Sequence, residues 1–331
     1  MQRHGTTGQA RFYYRMRQRS FTGLEDAHNR FLAAMSTVQE SIPADWRRTR
    51  IDRADLHHFP FAPDDVVVVV GQDGLIPNVA KYLDGQPIVG VNPDPAIYDG
   101  VLCRHAPASL AKILRWVESP SGSSFRFEPR VLIAAQREDG QELLALNEVF
   151  VGHRTHQSAR YRIKIGNREE RHSSSGVICS TGTGCTGWAR SIALQRGLNV
   201  RLPRPIEPRL AWFVREPFPS VSTGTAMNFG VIDEKTPVTL ISEMGEDGVI
   251  FGDGIESDCI EFVSGQSVEL RVSNVRLKMV VKSEESPDAT AATPRAIPVK
   301  QAPRATPTAA AASSRPSSGS AGPRPSRRPP A

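Results

Sequence analysis

The most informative stretch of the chain is Asp64-Asp65-Val66-Val67-Val68-Val69-Val70-Gly71-Gln72-Asp73-Gly74. Five consecutive valines before a glycine predict a strand that is buried on both faces, as in a parallel sheet. After the turn at residues 71–74, Leu75, Val79 and Leu83 recur at helical spacing. The next apolar run, residues 87–92, predicts a second strand, so we expect a right-handed βαβ unit.

This turn is a candidate ligand site because it follows the carboxyl end of the predicted strand, where open α/β sheets bind ligands. Gly71 and Gly74 allow backbone N–H groups to approach an anion, and the start of the next helix adds a partial positive charge. The carboxylate of Asp73 would repel a phosphate, so its expected role is to accept a proton or to hold a metal ion. Gly-x-Asp-Gly is also an ordinary turn sequence, and the local pattern does not choose between the two interpretations.

Length and cysteine content limit the class of protein. The 331 residues suffice for two domains of ordinary size. The four cysteines contain no Cys-x-x-Cys pair, so neither a zinc motif nor a disulfide framework is expected, and a reducing compartment is favoured. No apolar run approaches membrane-spanning length, and no apolar signal-peptide core follows Met1. We therefore expect a cytoplasmic protein with no membrane partner.

Residues 283–331 consist mainly of Pro, Ala, Ser, Thr and Arg. Such a segment cannot bury enough apolar surface to offset its ordering entropy, so it is predicted to be a disordered tail. Its seven basic and three acidic residues account for +4 of the formal net charge of +6. Because the basic character belongs mainly to the tail, no nucleic-acid partner is expected for the folded part.

The N-terminal region, residues 1–44, is predicted to be a helical extension. Thr22-Gly23-Leu24-Glu25 fits a capping box, and apolar residues then recur at helical spacing up to Pro43. The preceding segment is rich in arginine and poor in acidic residues, as in a mitochondrial presequence. Because Phe12-Tyr13-Tyr14 runs directly into the predicted helix, we keep the cytoplasmic prediction.

A change of pattern predicts a domain boundary near residue 120. A helix is predicted from Pro107, and residues 119–124 form a hinge of Ser, Pro and Gly. Short strands are then predicted at residues 131–135, 142–151, 161–165, 176–180, 210–215, 238–242, 249–251, 267–272 and 277–281. The expected fold class is α/β plus all-β, with a Rossmann-like α/β domain over residues 45–120 and a β-sandwich-like domain over residues 121–269.

The second candidate site is the loop Ser180-Thr181-Gly182-Thr183-Gly184-Cys185-Thr186-Gly187-Trp188. Its small and hydroxyl residues suit phosphate groups or ribose hydroxyls. The loop is not a Walker A motif, because the Gly-Lys-Ser/Thr ending is absent. The alternative is a flexible surface loop, which the apolar strand before it and Trp188 after it disfavour. Cys185 has no base near it in the sequence and is interpreted as a small residue rather than a nucleophile.

The third candidate is the pair Asn147-Glu148, in the middle of a predicted apolar strand. An adjacent amide and carboxylate offer hydrogen bonds to the hydroxyls of a sugar or to the edge of an adenine. The alternative is an alternating strand with Glu148 in solvent, and the pair taken alone favours this alternative.

In their order along the chain, these motifs resemble the NAD kinase family. The acidic turn, Gly90-Val91-Asn92, Asn147-Glu148 and the Gly-rich loop occur with similar gaps over about residues 64–281, and Asp253-Gly254 matches a late Asp-Gly of the family. The resemblance implies an ATP-dependent enzyme that uses Mg²⁺ and phosphorylates the 2′-hydroxyl of the adenosine ribose of NAD(H) to give NADP(H). It also implies a site between two domains, a final segment at about residues 270–282 that returns to the first domain, and assembly as dimers or tetramers.

The resemblance also implies roles for single residues. Asp73 matches the family's catalytic Asp, which is taken as the base for the 2′-hydroxyl, and Asn147 and Glu148 match the pair that binds NAD. No metal-ligating residue is predicted. The other candidates for nucleotide binding are glycines, hydroxyl residues and one aromatic residue: Gly71, Gly74, Thr181, Thr183, Gly184, Thr186, Gly187, Trp188 and Ser191.

Departures from the family pattern leave the substrate open. The usual Gly-Gly-Asp-Gly-Thr has Gln72 and Leu75 here, the segment after Gly-Val-Asn begins Pro93-Asp94-Pro95, and the Asp that contacts the nicotinamide end is Ser175. Two alternatives follow: a kinase of the same plan with a lipid or sugar acceptor, and a non-catalytic NAD-binding sensor. The sequence chooses neither between NAD and NADH nor between ATP and polyphosphate.

Overall fold

The computed structural model describes residues 6–17 and 20–283, which belong to one compact unit. These residues combine helices with two β-sheets, so the mixed α/β and β content predicted from the sequence is confirmed. The predicted disordered tail, except Ser283, lies outside the described residues. Within the described ranges, no helix combines the length and the apolar content that crossing a bilayer requires.

The helices are α1 (Thr7–Met16), α2 (Thr22–Ser41), α3 (Leu75–Ala80), α4 (Leu110–Glu118) and α5 (Trp188–Gln195). The predicted capping box at the start of α2 is wrong, because Thr22 is already helical and the N-cap is Phe21 without a side-chain cap. A capping box does occur one helix earlier, between Thr6 and Gln9. It begins α1, a helix within the predicted helical extension for which no separate start was predicted.

The strands are β1 (Val67–Val70), β2 (Pro87–Val91), β3 (Phe125–Arg137), β4 (Glu142–Ala145), β5 (Glu148–His153), β6 (Ala159–Ile165), β7 (Arg168–Ser174), β8 (Val177–Ser180), β9 (Arg209–Val214), β10 (Phe229–Asp233), β11 (Val238–Ser242), β12 (Gly248–Gly252), β13 (Cys259–Glu261) and β14 (Ser267–Lys282). The eight-stranded sheet has the order β1-β2-β14-β11-β6-β7, and β3 joins it beside β14 and carries β4. The six-stranded sheet has the order β10-β9-β8-β5-β12-β13.

The main core lies between the two sheets. Side chains of the larger sheet, such as Ile133, Tyr161 and Leu240, pack in one cluster with side chains of the smaller sheet, such as Val149 and Ile250. The other face of the smaller sheet packs against α5 through a second cluster. This two-layer packing gives the antiparallel part of the molecule the character of a sandwich.

The predicted βα-turn lies at one end of the larger sheet. β1 and β2 are parallel and are connected through α3, but β1 pairs only with β2 and is therefore an edge strand. Val69 is buried, whereas Val67, Val68 and Val70 are half-buried. The prediction that the valine run is buried on both faces is therefore only partly correct. An edge position explains this, because only one neighbouring strand covers β1.

The apolar run at residues 142–151 was predicted as continuous strand around Asn147, and this is corrected by the structure. β4 ends at Ala145 in the larger sheet, and β5 begins at Glu148 in the smaller sheet. Leu146 and Asn147 form the connection between the sheets. An apolar run that stays buried while it changes sheets carries no signal of the change in its periodicity.

The last strand joins the parallel and antiparallel parts. β14 is one strand with an irregularity between Val272 and Arg276, where two strands were predicted. It pairs in parallel with β2 and antiparallel with β3 and β11. Strands β7, β10 and β13 were not predicted. The sequence of β7 is mostly polar, and this strand is defined by its hairpin with β6. The predicted boundaries near residues 44, 120 and 269 stay a prediction.

Candidate functional site

Asp73 lies in the turn between β1 and α3, and a neighbouring loop holds its carboxylate. Oδ2 accepts a hydrogen bond from the backbone N–H of Val101 at 2.8 Å, and Oδ1 accepts bonds from the N–H groups of Leu102 at 2.9 Å and Cys103 at 2.8 Å. An ionised carboxylate has about four lone-pair positions, so most of them are in use. Asp73 therefore joins its turn to residues 101–103 and keeps about one position for a ligand.

Glycine next to this turn lets residues 101–103 lie close to the backbone of β2. The N–H of Gly71 donates to the carbonyl of Val91 at 3.1 Å, which joins the ends of β1 and β2. A Cβ at Gly90 would lie 2.4 Å from the carbonyl oxygen of Leu102, so only glycine lets residues 101–103 lie against β2. Gly74, by contrast, has open space around it. The turn is thus closed towards residues 101–103 and open at Gly74.

Thr181 organises the Gly-rich loop from within. Its Oγ1 donates to the carbonyl of Leu146 at 2.5 Å and accepts bonds from the N–H groups of Thr183 at 3.1 Å and Gly184 at 3.3 Å. The hydroxyl of Thr186 donates to the carbonyl of Thr183 at 2.9 Å. Several of the backbone donors that were expected to face a phosphate are thus satisfied inside the loop.

Two glycines allow the Gly-rich loop to pack closely against neighbouring backbone. A Cβ at Gly182 would lie 2.0 Å from the carbonyl oxygen of Arg204, and a Cβ at Gly184 would lie 2.2 Å from that of Asn147. Residues 181–185 are buried. The loop is therefore a packed element and not the flexible surface loop that was the alternative.

Asn147 stands at the junction of three segments because it connects the two sheets. Its backbone N–H donates to Oδ1 of Asp253 at 2.6 Å, and its carbonyl accepts from the N–H of Thr181 at 2.9 Å. The second oxygen of Asp253 accepts from the N–H of Leu146 at 3.0 Å. These bonds fix the backbone at Asn147 and Glu148, while their side chains make no hydrogen bond to other described residues.

Glu148 and Asp253 form a pair of half-buried carboxyl groups. Burial raises the pKa of Glu148 to about 7, and the nearby charge of Asp253 raises it further in the same direction. Burial also raises the pKa of Asp253 to about 6, against the three backbone hydrogen bonds that favour its ionised form. Asp253 has a positive φ of 54°, which marks a constrained backbone. In the sequence, Asp253 stood out only as part of the Asp-Gly match to the family.

Trp188 begins α5 and has an aromatic neighbour. Its ring lies parallel to that of Phe150, with 6.3 Å between the centroids, and the guanidinium of Arg215 lies 5.2 Å from its centroid. Gly187 precedes the helix, and its carbonyl accepts from the hydroxyl of Ser191 at 3.4 Å. Ser191 and Gly187 are exposed, whereas Trp188 is half-buried.

A buried arginine, which was not predicted from the sequence, reaches the Gly-rich loop. Arg130 on β3 is 1% exposed, and it pairs with Glu128 and reaches the hydroxyl of Thr183. Arg104 lies on the loop that holds Asp73 and donates twice to the carbonyl of Val101. The available signal was a charged residue directly before the apolar run at residues 131–135. Arg104 lies close enough to Arg130 for its positive charge to lower the pKa of Arg130, after the larger effect of burial.

Neither cysteine chemistry nor a protein-made metal cage is supported at this site. Burial raises the pKa of Cys185 to about 12, and that of Cys103 likewise to about 12, so both thiols stay protonated at neutral pH. In the part of the chain that the structure describes, no group of three or more His, Cys, Asp or Glu side chains is arranged to hold a metal ion. Ser175 lies between β7 and β8 and donates its N–H to the carbonyl of Arg215 at 2.9 Å.

Fold and site together define a mixed α/β protein that has an acidic turn held by residues 101–103 and a packed Gly-rich loop joined through Asn147 to a carboxyl pair. No protein-family model matches the chain. It is 31% identical over 131 residues to an NAD kinase of Rickettsia bellii and 33% identical over 133 residues to one of Methanospirillum hungatei, covering 38% and 39% of this chain. It is 27% identical over 218 residues, 52% of this chain, to the protein named NAD kinase 2, mitochondrial, of Rattus norvegicus.

The chain is a divergent relative of the NAD kinases. The matched regions cover 48%, 46% and 51% of the three relatives, so the chain spans about half the length of the curated relatives it matches. The resemblance to NAD kinases that the sequence motifs indicated is thus confirmed.

Proposed function

We propose that this protein is an ATP-dependent NAD kinase. It would transfer the γ-phosphoryl group of ATP to the 2′-hydroxyl of the adenosine ribose of NAD(H) and form NADP(H). The observation that carries the proposal is the position of Asn147-Glu148, whose backbone is fixed by Asp253 and Thr181 while both side chains stay available. The names of the three relatives support the same reaction.

The proposed chemistry needs an oriented hydroxyl and an acceptor for its proton. The ribose oxygen forms a bond to the γ-phosphorus, the bond from that phosphorus to the bridging oxygen breaks, and ADP leaves. Asp73 is the proton acceptor that the resemblance implies, with about one lone-pair position left. Glu148 would hydrogen-bond the sugar hydroxyls, and its pKa of about 7 also suits proton transfer near neutrality.

The other proposed binding residues surround this pair. Trp188 would contact the adenine, and Asn147, Thr186, Gly187 and Ser191 would line the same pocket. The hydroxyl of Thr183 and the backbone of Gly74 would face the phosphates. Gly71, Thr181 and Gly184 would shape the two loops instead, because their hydrogen bonds are already used within the protein.

Mg²⁺ is proposed to enter with ATP. Proteins commonly bind Mg²⁺ through one or two carboxylates and the phosphates of the substrate, rather than in a cage of their own. The described residues fit this arrangement, because they offer the pair Glu148 and Asp253 but no larger ligand group. The bound ion would neutralise phosphate charge.

The organisation of the protein is part of the proposal. We propose a Rossmann-like domain and a sandwich-like domain with the site between them, assembly as dimers or tetramers, and a cytoplasmic location. These features follow from the family resemblance. Partners other than NAD(H) and ATP are not required by the reaction.

The test is an assay of NADP formation with purified protein, ATP, Mg²⁺ and NAD. We expect turnover in the wild type and its loss in Asp73→Asn and Glu148→Gln. Asp139→Asn is the control, because Asp139 lies in the exposed hairpin and pairs with Arg137. Folded wild-type protein that binds NAD but forms no NADP would contradict the kinase and favour the sensor. Phosphorylation of a lipid or sugar, with none of NAD, would contradict the proposed acceptor.

A further inference from the structure

An ion pair joins helix α2 to the loop that holds Asp73, which comprises residues 92–105 and is called the Asp73-binding loop. Nε of Arg30, on α2, donates to Oδ2 of Asp94 at 2.7 Å. The side chain of Asp94 is 7% exposed and that of Arg30 is 43% exposed, so the cation reaches a buried carboxylate from the surface. A buried carboxylate is costly unless a cation or hydrogen bonds compensate its charge. Arg30 therefore stabilises the buried position of Asp94.

The Asp73-binding loop is fixed at both ends by backbone hydrogen bonds. The N–H of Asn92 donates to the carbonyl of His105 at 2.8 Å, and the N–H of His105 donates to the carbonyl of Gly90 at 3.0 Å. Both ends therefore lie beside the end of β2. Because the ends are fixed, the conformation of the segment between them depends on contacts within the loop and with neighbouring elements.

Contacts within the loop lead from Asp94 towards the N–H groups that bind Asp73. The N–H of Asp94 donates to Oδ1 of Asn92 at 3.0 Å, and the carbonyl of Asp94 accepts from the N–H of Tyr98 at 3.0 Å. Nδ2 of Asn92 in turn donates to the carbonyl of Tyr98 at 2.9 Å. Asp94, Asn92 and Tyr98 thus form one hydrogen-bonded unit.

Gly100 brings this unit into contact with residues 101–103. It has a positive φ of 66°, and a Cβ there would lie 2.7 Å from Nδ2 of Asn92 and 2.5 Å from the carbonyl oxygen of Cys103. Only glycine fits between these two groups. The side chain of Asn92 and the backbone of Cys103 therefore pack against the same glycine, and the N–H of Cys103 is one of the three that hold Asp73.

Helix α2 is also held by apolar packing that does not involve the ion pair. Val38 is 5% exposed and belongs to a core cluster with Val91 of β2 and Ile113 of α4. Packing at Val38 stabilises the helix on the body of the protein, whereas Arg30 connects the helix to the Asp73-binding loop. The two contacts can therefore be disrupted separately.

We propose that Arg30 is a positioning residue of the candidate functional site, which acts through Asp94 to hold the Asp73-binding loop in the conformation that orients the carboxylate of Asp73. The proposal rests on the proposed function for the role of Asp73 in proton transfer. Neither residue of the pair lies in a motif that carries the family resemblance, because Arg30 precedes the matched motifs and Asp94 belongs to the divergent Pro93-Asp94-Pro95.

The first measurement is hydrogen–deuterium exchange of the amides of residues 101–103 in the full chain, followed by NMR. In Arg30→Met we expect exchange to be about tenfold faster than in the wild type, an effect between those of an exposed and a buried ion pair. Arg30→Lys, which keeps the charge, should recover part of the protection. Arg48→Met is the matched control, because Arg48 is exposed after the end of α2 and donates to the carbonyl of Gln39 at 3.3 Å.

The second measurement separates a positioning role from a general loss of stability, by steady-state kinetics of NADP formation. Misplacement of a proton acceptor slows the chemical step without weakening substrate binding, so in Arg30→Met kcat should fall by about tenfold while the KM values of NAD and ATP change less than about twofold. Arg30→Lys should recover part of kcat. Val38→Ala, which keeps the ion pair, should lower the thermal unfolding midpoint and retain kcat.

The third measurement tests the pair from its other side. Asp94→Asn keeps the shape of the side chain but removes its charge, so it should also speed exchange of residues 101–103 and lower kcat. If the two residues act through one another, the double variant Arg30→Met with Asp94→Asn should lose less than the product of the two single effects. A loss equal to that product would contradict the proposal.

Unchanged exchange of residues 101–103 in folded Arg30→Met and Asp94→Asn would overturn the proposal, as would faster exchange together with wild-type kcat. If Arg30→Met does not fold, Asp94→Asn still decides the question. Because the exchange measurement needs no turnover, faster exchange in the variants of a protein that forms no NADP would contradict the proposed function and leave the link from Arg30 to the Asp73-binding loop standing.

Discussion

Asp73 and Glu148 are carboxyl groups of the same candidate site, but their surroundings differ in kind. The carboxylate of Asp73 accepts three backbone N–H groups from residues 101–103. Glu148 makes no side-chain hydrogen bond to the described residues, and burial together with Asp253 raises its pKa to about 7. Asp73 keeps two segments together through these three bonds, whereas the side chain of Glu148 is available to a ligand. The comparison shows that a motif residue can be structural and chemical at once.

Asp73→Asn should have the largest effect. The amide keeps one acceptor oxygen, but its NH₂ group would face N–H donors of residues 101–103, so we expect the free energy of unfolding to fall by about 2–4 kcal/mol. NADP formation should fall by about 10²-fold or more. Denaturant titration and the enzyme assay measure the two effects.

The ratio of the two effects separates the roles of Asp73. Asp139→Asn should change neither quantity measurably. If Asp73→Asn loses activity while its stability equals that of the wild type, the carboxylate does not hold residues 101–103 in solution, and its role is chemical alone.

Glu148→Gln should reduce turnover without reducing stability. We expect turnover to fall by about 10²-fold because the side chain loses its ability to accept a proton. Stability should be kept, because the substitution removes a buried carboxyl group beside Asp253. Glu142→Gln, on the exposed end of the same segment, is the control and should keep its turnover. Full turnover in Glu148→Gln would remove Glu148 from the chemistry.

The pH dependence of stability should isolate the contribution of Glu148. The pKa of Glu148 is raised from 4.5 to about 7 in the folded state, so its contribution to stability is complete below pH 4.5 and is lost as the pH rises through 7. Over this range the wild type should lose up to about 3 kcal/mol relative to Glu148→Gln. Denaturant titrations at pH 5 and pH 8 measure it. Equal losses in both proteins would show that Glu148 is not the group that titrates.

Much of this arrangement is visible in the sequence because it is local. The spacing of valines, glycine and apolar helix positions predicted β1, the turn and β2, and the order of the motifs indicated the relationship to NAD kinases. Those signals need only a few neighbouring residues. The same holds for the Gly-rich loop after β8.

The bonds that build the site are not local. Asp73 is held by backbone N–H groups about 30 positions away, and every residue except proline carries such a donor, so residues 101–103 have no distinctive signature. The hydrogen bond from Arg130 to Thr183 joins strand β3 to the loop after β8, and the two residues are 53 positions apart. The change of sheet at Asn147 is likewise hidden in an apolar run. These features follow from packing, which no single segment encodes.

The smallest effect should come from the glycines of the two loops. Gly182→Ala would bring a Cβ within 2.0 Å of the carbonyl oxygen of Arg204, and since that atom is backbone, we expect a loss of about 1–3 kcal/mol in the free energy of unfolding. Gly74→Ala meets open space at an ordinary negative φ, so its stability should stay close to that of the wild type or rise slightly. Thermal and denaturant unfolding of the two variants side by side measure the difference. Equal stability would mean that the segment around Arg204 moves away at little cost, and that the Gly-rich loop is no more tightly packed than the acidic turn.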